Sequence, residues 1–253
     1  MASKISVFVG INITIGAKPV TFVALDSDLK PLAIGDGDTP DALAYTAGQQ
    51  AGILVAVNAP ARPNNGRMAE KKVRETLNPV PERGKWKVLR QAEYELIKQG
   101  IEVPQTPSSA DHCLPWMKRG FALIERLERM QYAPYPADDA TRQWLEVQAD
   151  AVFWSLAGAA PLPAETLEGR IQRQLILTDV GLPVPDAMDF FEEITRFKML
   201  KGILPMKYVL PQAEINAYLA AYTAWLAANQ PADVRGFGAP EEGMIYLPCK
   251  KPG

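Results

Sequence analysis

Ser6-Val-Phe-Val-Gly-Ile-Asn-Ile-Thr-Ile15 is rich in β-branched and aromatic residues and carries one side-chain amide, Asn12. Closed by Gly16 and Lys18-Pro19, the run predicts a central strand buried on both faces. Ile53-Leu-Val-Ala-Val-Asn-Ala-Pro60 echoes it, again with one amide, Asn58, near its end. Two buried strands that each deliver one polar residue at the same depth predict a site built across neighbouring strands.

Working outward, Val20-Thr-Phe-Val-Ala-Leu25 reads as a second strand and residues 29–35 as a third, joined by Asp26-Ser-Asp-Leu-Lys30. The short carboxylates of Asp26 and Asp28 suit a turn, where they bond nearby backbone, better than acid catalysis. Thr39 before Pro40 predicts a helix start, with Thr39 the cap, and the helix runs to about Gly52. A meander, a crossover helix and a fourth strand make a mixed sheet, with strand four parallel to strand one. The Pro- and Gly-punctuated stretch 61–112 reads as an insertion with short helices around 68–77 and 86–98. Met117, Phe121, Ile124 and Leu127 mark a helix over 116–130, and a fifth strand is expected at 144–148. Further helices are expected at 166–177, 186–200 and 211–229, the last with Asn216 beside its apolar stripe and small residues Ala217, Ala220, Ala221 and Ala224. Residues 243–248 read as an edge segment, because Pro248 cannot donate to a ladder.

Totals exclude whole classes. With 47% apolar and 22% charged residues, the 253-residue chain is an ordinary globular one, and disordered, collagenous and disulfide-scaffold readings drop out. No apolar run approaches the roughly 18–20 residues that span a bilayer, so no membrane is expected. No signal peptide is expected at the N-terminus either. Two cysteines far apart, Cys113 and Cys249, make neither a disulfide framework nor a metal knuckle, and a reduced cytoplasmic setting follows as the expectation. The lone histidine, His112, adjoins Cys113, but chain neighbours rarely face each other, so the pair reads as loop rather than as a nucleophile and its base.

Charge is uneven along the chain. Between Ala61 and Arg90 nine cations (Arg62, Arg67, Lys71, Lys72, Arg74, Arg83, Lys85, Lys87, Arg90) outnumber Glu70, Glu75 and Glu82, with Trp86 among them. Cations interleaved with an aromatic suit a phosphate backbone and a stacked base; a solvated loop-and-helix face reads the same way.

Several short motifs resemble the domain-of-unknown-function family 429, described as predicted nucleases with a ribonuclease-H-like fold. Val9-Gly10-Ile11-Asn12 resembles its Gly-Ile-Asp first strand, and Val57-Asn58-Ala59-Pro60 its Ile-Asp-Ala-Pro. The segment from Arg90 through Glu93 to Gly100-Ile101 resembles its Arg-x-x-Asp-x-Glu-Leu-Arg-x-x-Gly-Ile, and Leu145-Glu146-Val147 its fifth strand. Arg119–Leu127, Gly169-Arg170-Ile-Gln-Arg173 and the stretch from Glu242 to Pro248 fit as well. The resemblance covers nearly the whole chain. It implies one α/β domain over 1–253: a mixed five-stranded sheet, antiparallel meander plus parallel strands, flanked by helices and carrying the basic helical insertion.

The departures fall on the chemistry. Asn12 and Asn58 stand where the family has Asp. Gln212-Ala213-Glu214-Ile215-Asn216 stands where Asp-Asp-x-x-Asp is expected, and Gln148-Ala149 replaces Tyr-Pro. Glu214 is one residue out of place, about 100° around the helix. Glu146 is kept, and Glu93 stands for an Asp. Nucleases of this fold, as the resemblance implies, hold two Mg²⁺ ions roughly 4 Å apart. Mg²⁺ is a hard cation that needs anionic oxygen ligands, and an amide oxygen is neutral. Asn12, Asn58 and Asn216 thus predict a degenerate site, with no cofactor and a role in binding nucleic acid or another phosphorylated ligand. The alternative keeps a metal-dependent phosphodiesterase: Glu146, Glu93 and Glu214 hold Mg²⁺ or Mn²⁺, with Glu146 the ligand if only one ion remains, and Arg90, Arg170 and Arg173 clamp phosphate. A third expectation is a scaffold domain with an occluded cleft.

Overall fold

Alternation along the first strand decides which layer lies on each side of the sheet. The computed structural model describes residues 5–14, 20–50, 52–77 and 85–249. The expected end of the first strand at residues 15–19, together with Glu82, Arg83 and the side chain of Lys85, lies outside the described residues. In β1 (Ile5–Ile13), Val7, Val9, Ile11 and Ile13 face one way and Phe8 the other.

The chain continues through β2 (Val20–Leu25), β3 (Pro31–Gly37), α1 (Thr39–Gly48) and β4 (Gly52–Asn58). The insertion carries α2 (Lys71–Thr76) and α3 (Gln91–Lys98), and α4 (Pro115–Arg129) follows. Next come β5 (Ala133–Pro134), β6 (Arg142–Val147), α5 (Ala149–Ala157) and α6 (Leu167–Asp179). Two short helices, α7 (Asp189–Glu193) and α8 (Arg196–Leu200), precede the long α9 (Gln212–Asn229), then β7 (Val234–Ala239) and β8 (Gly243–Pro248).

Together these strands form an eight-stranded mixed sheet, ordered β3-β2-β1-β4-β6-β8-β7 with β5 paired to β6. β1, β4, β6 and β8 run parallel; β2, β3 and β7 supply the antiparallel pairs. Helices α1 and α4 cover the Val7–Ile13 face through Ala42, Leu43, Leu123, Ile124 and Leu127. On the Phe8 face α9 lies against β1, β2 and β4 and is buried nearly all round. A Cβ on Gly10 would come within 2.0 Å of Ala217 O and 2.2 Å of Ala221 N, so glycine is what lets α9 lie directly on the strand. Such a mixed sheet with helices on both faces is the ribonuclease-H-like architecture.

Several expectations are corrected. Among the described residues eight strands replace five. Residues 243–248 are not an edge: β8 lies between β6 and β7, and Pro248 sits at its last position, where little of the ladder remains to need its N–H. β7 escaped notice because Gly236 and Gly238 dilute its pattern. Gly238, at φ +98, is required where the strand passes the backbone of Ala92. Asp38, not Thr39, caps α1: it accepts from Asp41 N while Asp41 accepts from Asp38 N (3.0 Å). The helix expected over 186–200 breaks into α7 and α8, because Ile194 is extended and Thr195 caps a new start. The helix read over 86–98 begins only at Gln91, after a short 3-10 turn, and the third strand starts at Pro31. Asp26 keeps its turn role, accepting from Asp28 N and Lys30 N at 2.8 and 2.9 Å.

Candidate functional site

The parallel strands place Asn12 beside Asn58 in register and Asn58 beside Val147, so the C-terminal ends of β1, β4 and β6 share one edge. From here the chain leaves β1 toward β2 and leaves β4 toward β6. The β1/β4 boundary is therefore the topological switch point where open α/β sheets form ligand crevices. A cleft open to solvent lies there, lined by Asn12, Ile13, Thr14, Asn58, Pro104, Trp116, Gln148 and Asn216. None of these side chains is ionisable.

The amides are joined. Asn12 Oδ1 accepts from Asn58 Nδ2 at 2.7 Å and from Asn216 Nδ2 at 3.3 Å. Gln212 Nε2 donates to Asn216 Oδ1 at 2.7 Å, and Asn58 Oδ1 accepts from Ala149 N at 2.8 Å. Gln148 caps α5, taking Asp150 N (2.9 Å) and Ala151 N (3.3 Å). Two N–H groups thus point at one carbonyl oxygen at the place where the resemblance puts cations between carboxylates. Asn12 Nδ2 and Gln212 Oε1 are buried and have no partner among the described residues. An unmet buried polar atom costs about 1–3 kcal/mol, and of the two residues Asn12 lies on the cleft wall. Neutral amides do not fit a pair of Mg²⁺ ions, and no group of three or more His, Cys, Asp or Glu suits a metal among the described residues.

Glu146 and Glu93 are committed elsewhere. Glu146 follows Leu145 by one residue and so turns to the opposite face from Leu145 and Val147. There Arg90, 1% exposed, reaches it with two nitrogens, at 2.5 Å to Oε1 and 3.0 Å to Oε2. The same guanidinium donates to Glu93 Oε1 at 3.0 Å. Ala61 N and Thr106 N complete the two carboxylates at 2.8 and 3.0 Å. Burial alone would lower the Arg90 pKa, but Glu146 and then Glu93 outweigh it and hold the guanidinium proton above its ordinary value. Burial also pushes the Glu93 carboxyl above the usual range, and Arg90 pulls it only part of the way back. The network clamps the insertion to β6. A narrow neighbouring pocket does place Glu146 and Arg90 on a wall with Asn58 and Gln148, but the carboxylate faces Arg90.

Arg90 therefore has no free fork for phosphate. Arg173 is equally occupied: Nη2 on Asp150 at 2.7 Å, Nη1 on Leu162 O and Gly169 O, and its plane 5.3 Å from the Phe153 ring centre. Arg170, whose Nε is buried and unpartnered among the described residues, does not line the amide cleft. Glu214 opens on a different hollow with Thr21, Ile34 and Asp36, as its rotation around the helix implied. Burial first, and Asp36 second, raise its carboxyl pKa. A carboxyl so raised binds more protons folded than unfolded, so it erodes stability as pH climbs through the window from its ordinary value to the folded one. Glu214→Gln is expected to be more stable than the parent at neutral pH, with the difference vanishing below the ordinary glutamate range; urea midpoints across that range measure it.

The basic insertion is partly neutralised. Arg62 pairs with Glu128 (2.6 Å), Arg67 with Glu241 (3.5 Å) and Lys71 with Glu75 (3.6 Å). Trp86 packs on the small core of Met68, Val73, Leu77 and Tyr94, with Arg74 and Lys87 5.0 and 5.8 Å from its ring centre. His112 is exposed, and Cys113 is buried with Sγ on Pro107 O and Ser109 O, so the pair is loop structure.

Sequence reasoning missed Trp116 as a cleft residue, and no local signal marks it. Gln148, marked by its place where the resemblance has Tyr, lines the cleft, and Gln212, marked by its place where the resemblance has Asp, bonds Asn216. Glu242, 1% exposed, was missed too: it takes Gln91 N at 2.7 Å and Asn65 N at 3.3 Å, tying the β7–β8 turn to the insertion. Compared with family models, curated proteins and solved structures, the chain matches none.

Proposed function

We propose that this chain is a catalytically degenerate ribonuclease-H-like protein that binds single-stranded nucleic acid, or a nucleotide, in its amide cleft without cleaving it. One observation carries the reading: three asparagines meet at one oxygen in an open cleft at the switch point, leaving the Asn12 Nδ2 donor unmet among the described residues. Asparagine and glutamine amides match the paired donors and acceptors of a base edge. Trp116 on the cleft wall offers the flat apolar surface on which an unstacked base lies. Arg119, further along α4, donates Nη1 to Thr14 O on the cleft wall at 3.0 Å and brings positive charge there for a backbone phosphate.

The motif resemblance supports the nuclease ancestry. The amide substitutions and the Arg90-bound carboxylates speak against hydrolysis by two metals. Fluorescence anisotropy with a labelled single-stranded oligonucleotide tests the reading. Binding is expected at low salt, weakening as salt rises, with Trp116→Ala costing about 1–3 kcal/mol. No cleavage is expected in Mg²⁺ or Mn²⁺. Cleavage that disappears in Glu146→Gln would replace this reading with the phosphodiesterase, and absence of binding at low salt would remove it.

A further inference from the structure

We infer that the knob formed by α8 and the turn after it docks on an anionic phospholipid surface. None of the side chains of α8 is buried, and Phe197 and Leu200 are 66% and 76% exposed. Met199, Ile203, Leu204 and Met206 are exposed with them. None of these six belongs to a core cluster, so they do not serve this fold. Contiguous exposed apolar side chains of this kind mark an interaction site.

The knob is built rather than loose. Thr195 Oγ1 caps its start by accepting from Lys198 N at 3.1 Å, and Lys198 Nζ is tied to Glu193 O and Oε2 at 2.9 and 2.8 Å. At its end Gly202, at φ +66, lets Ile203 N close back on Lys198 O at 2.9 Å. Holding Phe197 and Leu200 outward in a fixed turn lowers the ordering cost of inserting them.

Charge selects the occupant. From Ile194 to Ala213 the chain carries Arg196, Lys198, Lys201 and Lys207 and no acidic residue. The acids Asp186, Asp189, Glu192 and Glu193 precede it, and Glu193 holds Lys198. Arg196 and Lys201 are exposed beside the apolar tips. Apolar side chains that stand off the surface, ringed by cations, suit the boundary between acyl chains and anionic headgroups. A second copy would set the same cations against each other. The contact is interfacial, because no helix among the described residues is long and apolar enough to cross a membrane. The same segment runs into α9, which carries Asn216 of the cleft and its partner Gln212 near its start.

Cosedimentation of the full chain with phosphatidylcholine vesicles, with and without phosphatidylserine, tests the docking, alongside sedimentation equilibrium without lipid. Pelleting is expected only with phosphatidylserine, weakening with salt. Arg196→Gln/Lys201→Gln is expected to weaken it about fivefold per cation removed. Phe197→Asp/Leu200→Asp is expected to weaken it roughly tenfold or more, with unchanged circular dichroism because neither side chain is buried. No pelleting, equal pelleting on both vesicles, or pelleting indifferent to both variants overturns the inference. Self-association that Phe197→Asp/Leu200→Asp abolishes, without pelleting, overturns it in favour of a second copy.

Discussion

Arg90→Met is expected to destabilise the protein by about 3–5 kcal/mol at neutral pH, the cost of leaving buried charge without its partner. Glu93 and Glu146 are 0% and 2% exposed, and the guanidinium is the cation that each of them bonds. After its removal the backbone donors Ala61 N and Thr106 N remain, but two carboxylates stay in low dielectric. Glu93, already pushed up by burial and pulled back by Arg90, then takes up a proton more readily folded than unfolded. The deficit should therefore shrink as pH falls toward the ordinary carboxylate range and widen as pH rises above it. Arg90→Met/Glu93→Gln/Glu146→Leu should recover much of the loss, since no buried charge remains. Urea unfolding of the three proteins at acid and neutral pH measures this. A single-variant loss under about 1 kcal/mol would mean that the network does not hold the insertion, and would free Glu146 for chemistry.

Placing acids in the cleft should create a metal-dependent protein. In Asn12→Asp/Asn58→Asp the 2.7 Å amide bond becomes a contact between two carboxylates, and one oxygen of the new pair still accepts from Asn216. Without divalent cation the variant is expected to lose about 1–3 kcal/mol, from the lost hydrogen bond and the like-charge repulsion. Mg²⁺ or Mn²⁺ at roughly a hundred times its Kd returns about 2.7 kcal/mol through binding to the folded state alone. Melting temperature in chelator and in Mg²⁺ reads the effect without any activity assay. The parent should show no such dependence. A parent stabilised by Mg²⁺ would show that amides suffice for the ion, and a variant indifferent to it would show that Asn12 and Asn58 do not mark a lost metal site.

Both experiments separate residues that looked alike in the linear chain. Asn12, Asn58 and Asn216 were read as one group, and they meet at one oxygen. Under the alternative phosphodiesterase reading Glu146, Glu93 and Arg90 are catalytic acids and a phosphate clamp, and in the fold the three meet each other instead. The asparagines were legible because each lies near the end of a strong apolar run or beside a helical stripe, where period alone fixes the direction of the side chain. Glu146 sits within a run of the same kind, but one residue of parity sends it to the other face of the sheet, toward an arginine fifty-six positions away.

From its own pattern, then, the chain determined the buried double-faced strands β1 and β4, the meander, the long apolar α9 and the depth of the amides. These follow from local rules: period two, period three to four, caps and the conformational range of glycine. Tertiary structure alone decided that β8 is interior, that α7 and α8 separate, and that Glu146 and Glu93 serve as structural counter-ions to Arg90. Each of those outcomes depends on which distant group offers a hydrogen bond or a charge once water is excluded. Local sequence does not carry that information, because the desolvation that makes an unpaired carboxylate so costly exists only after the layers have closed.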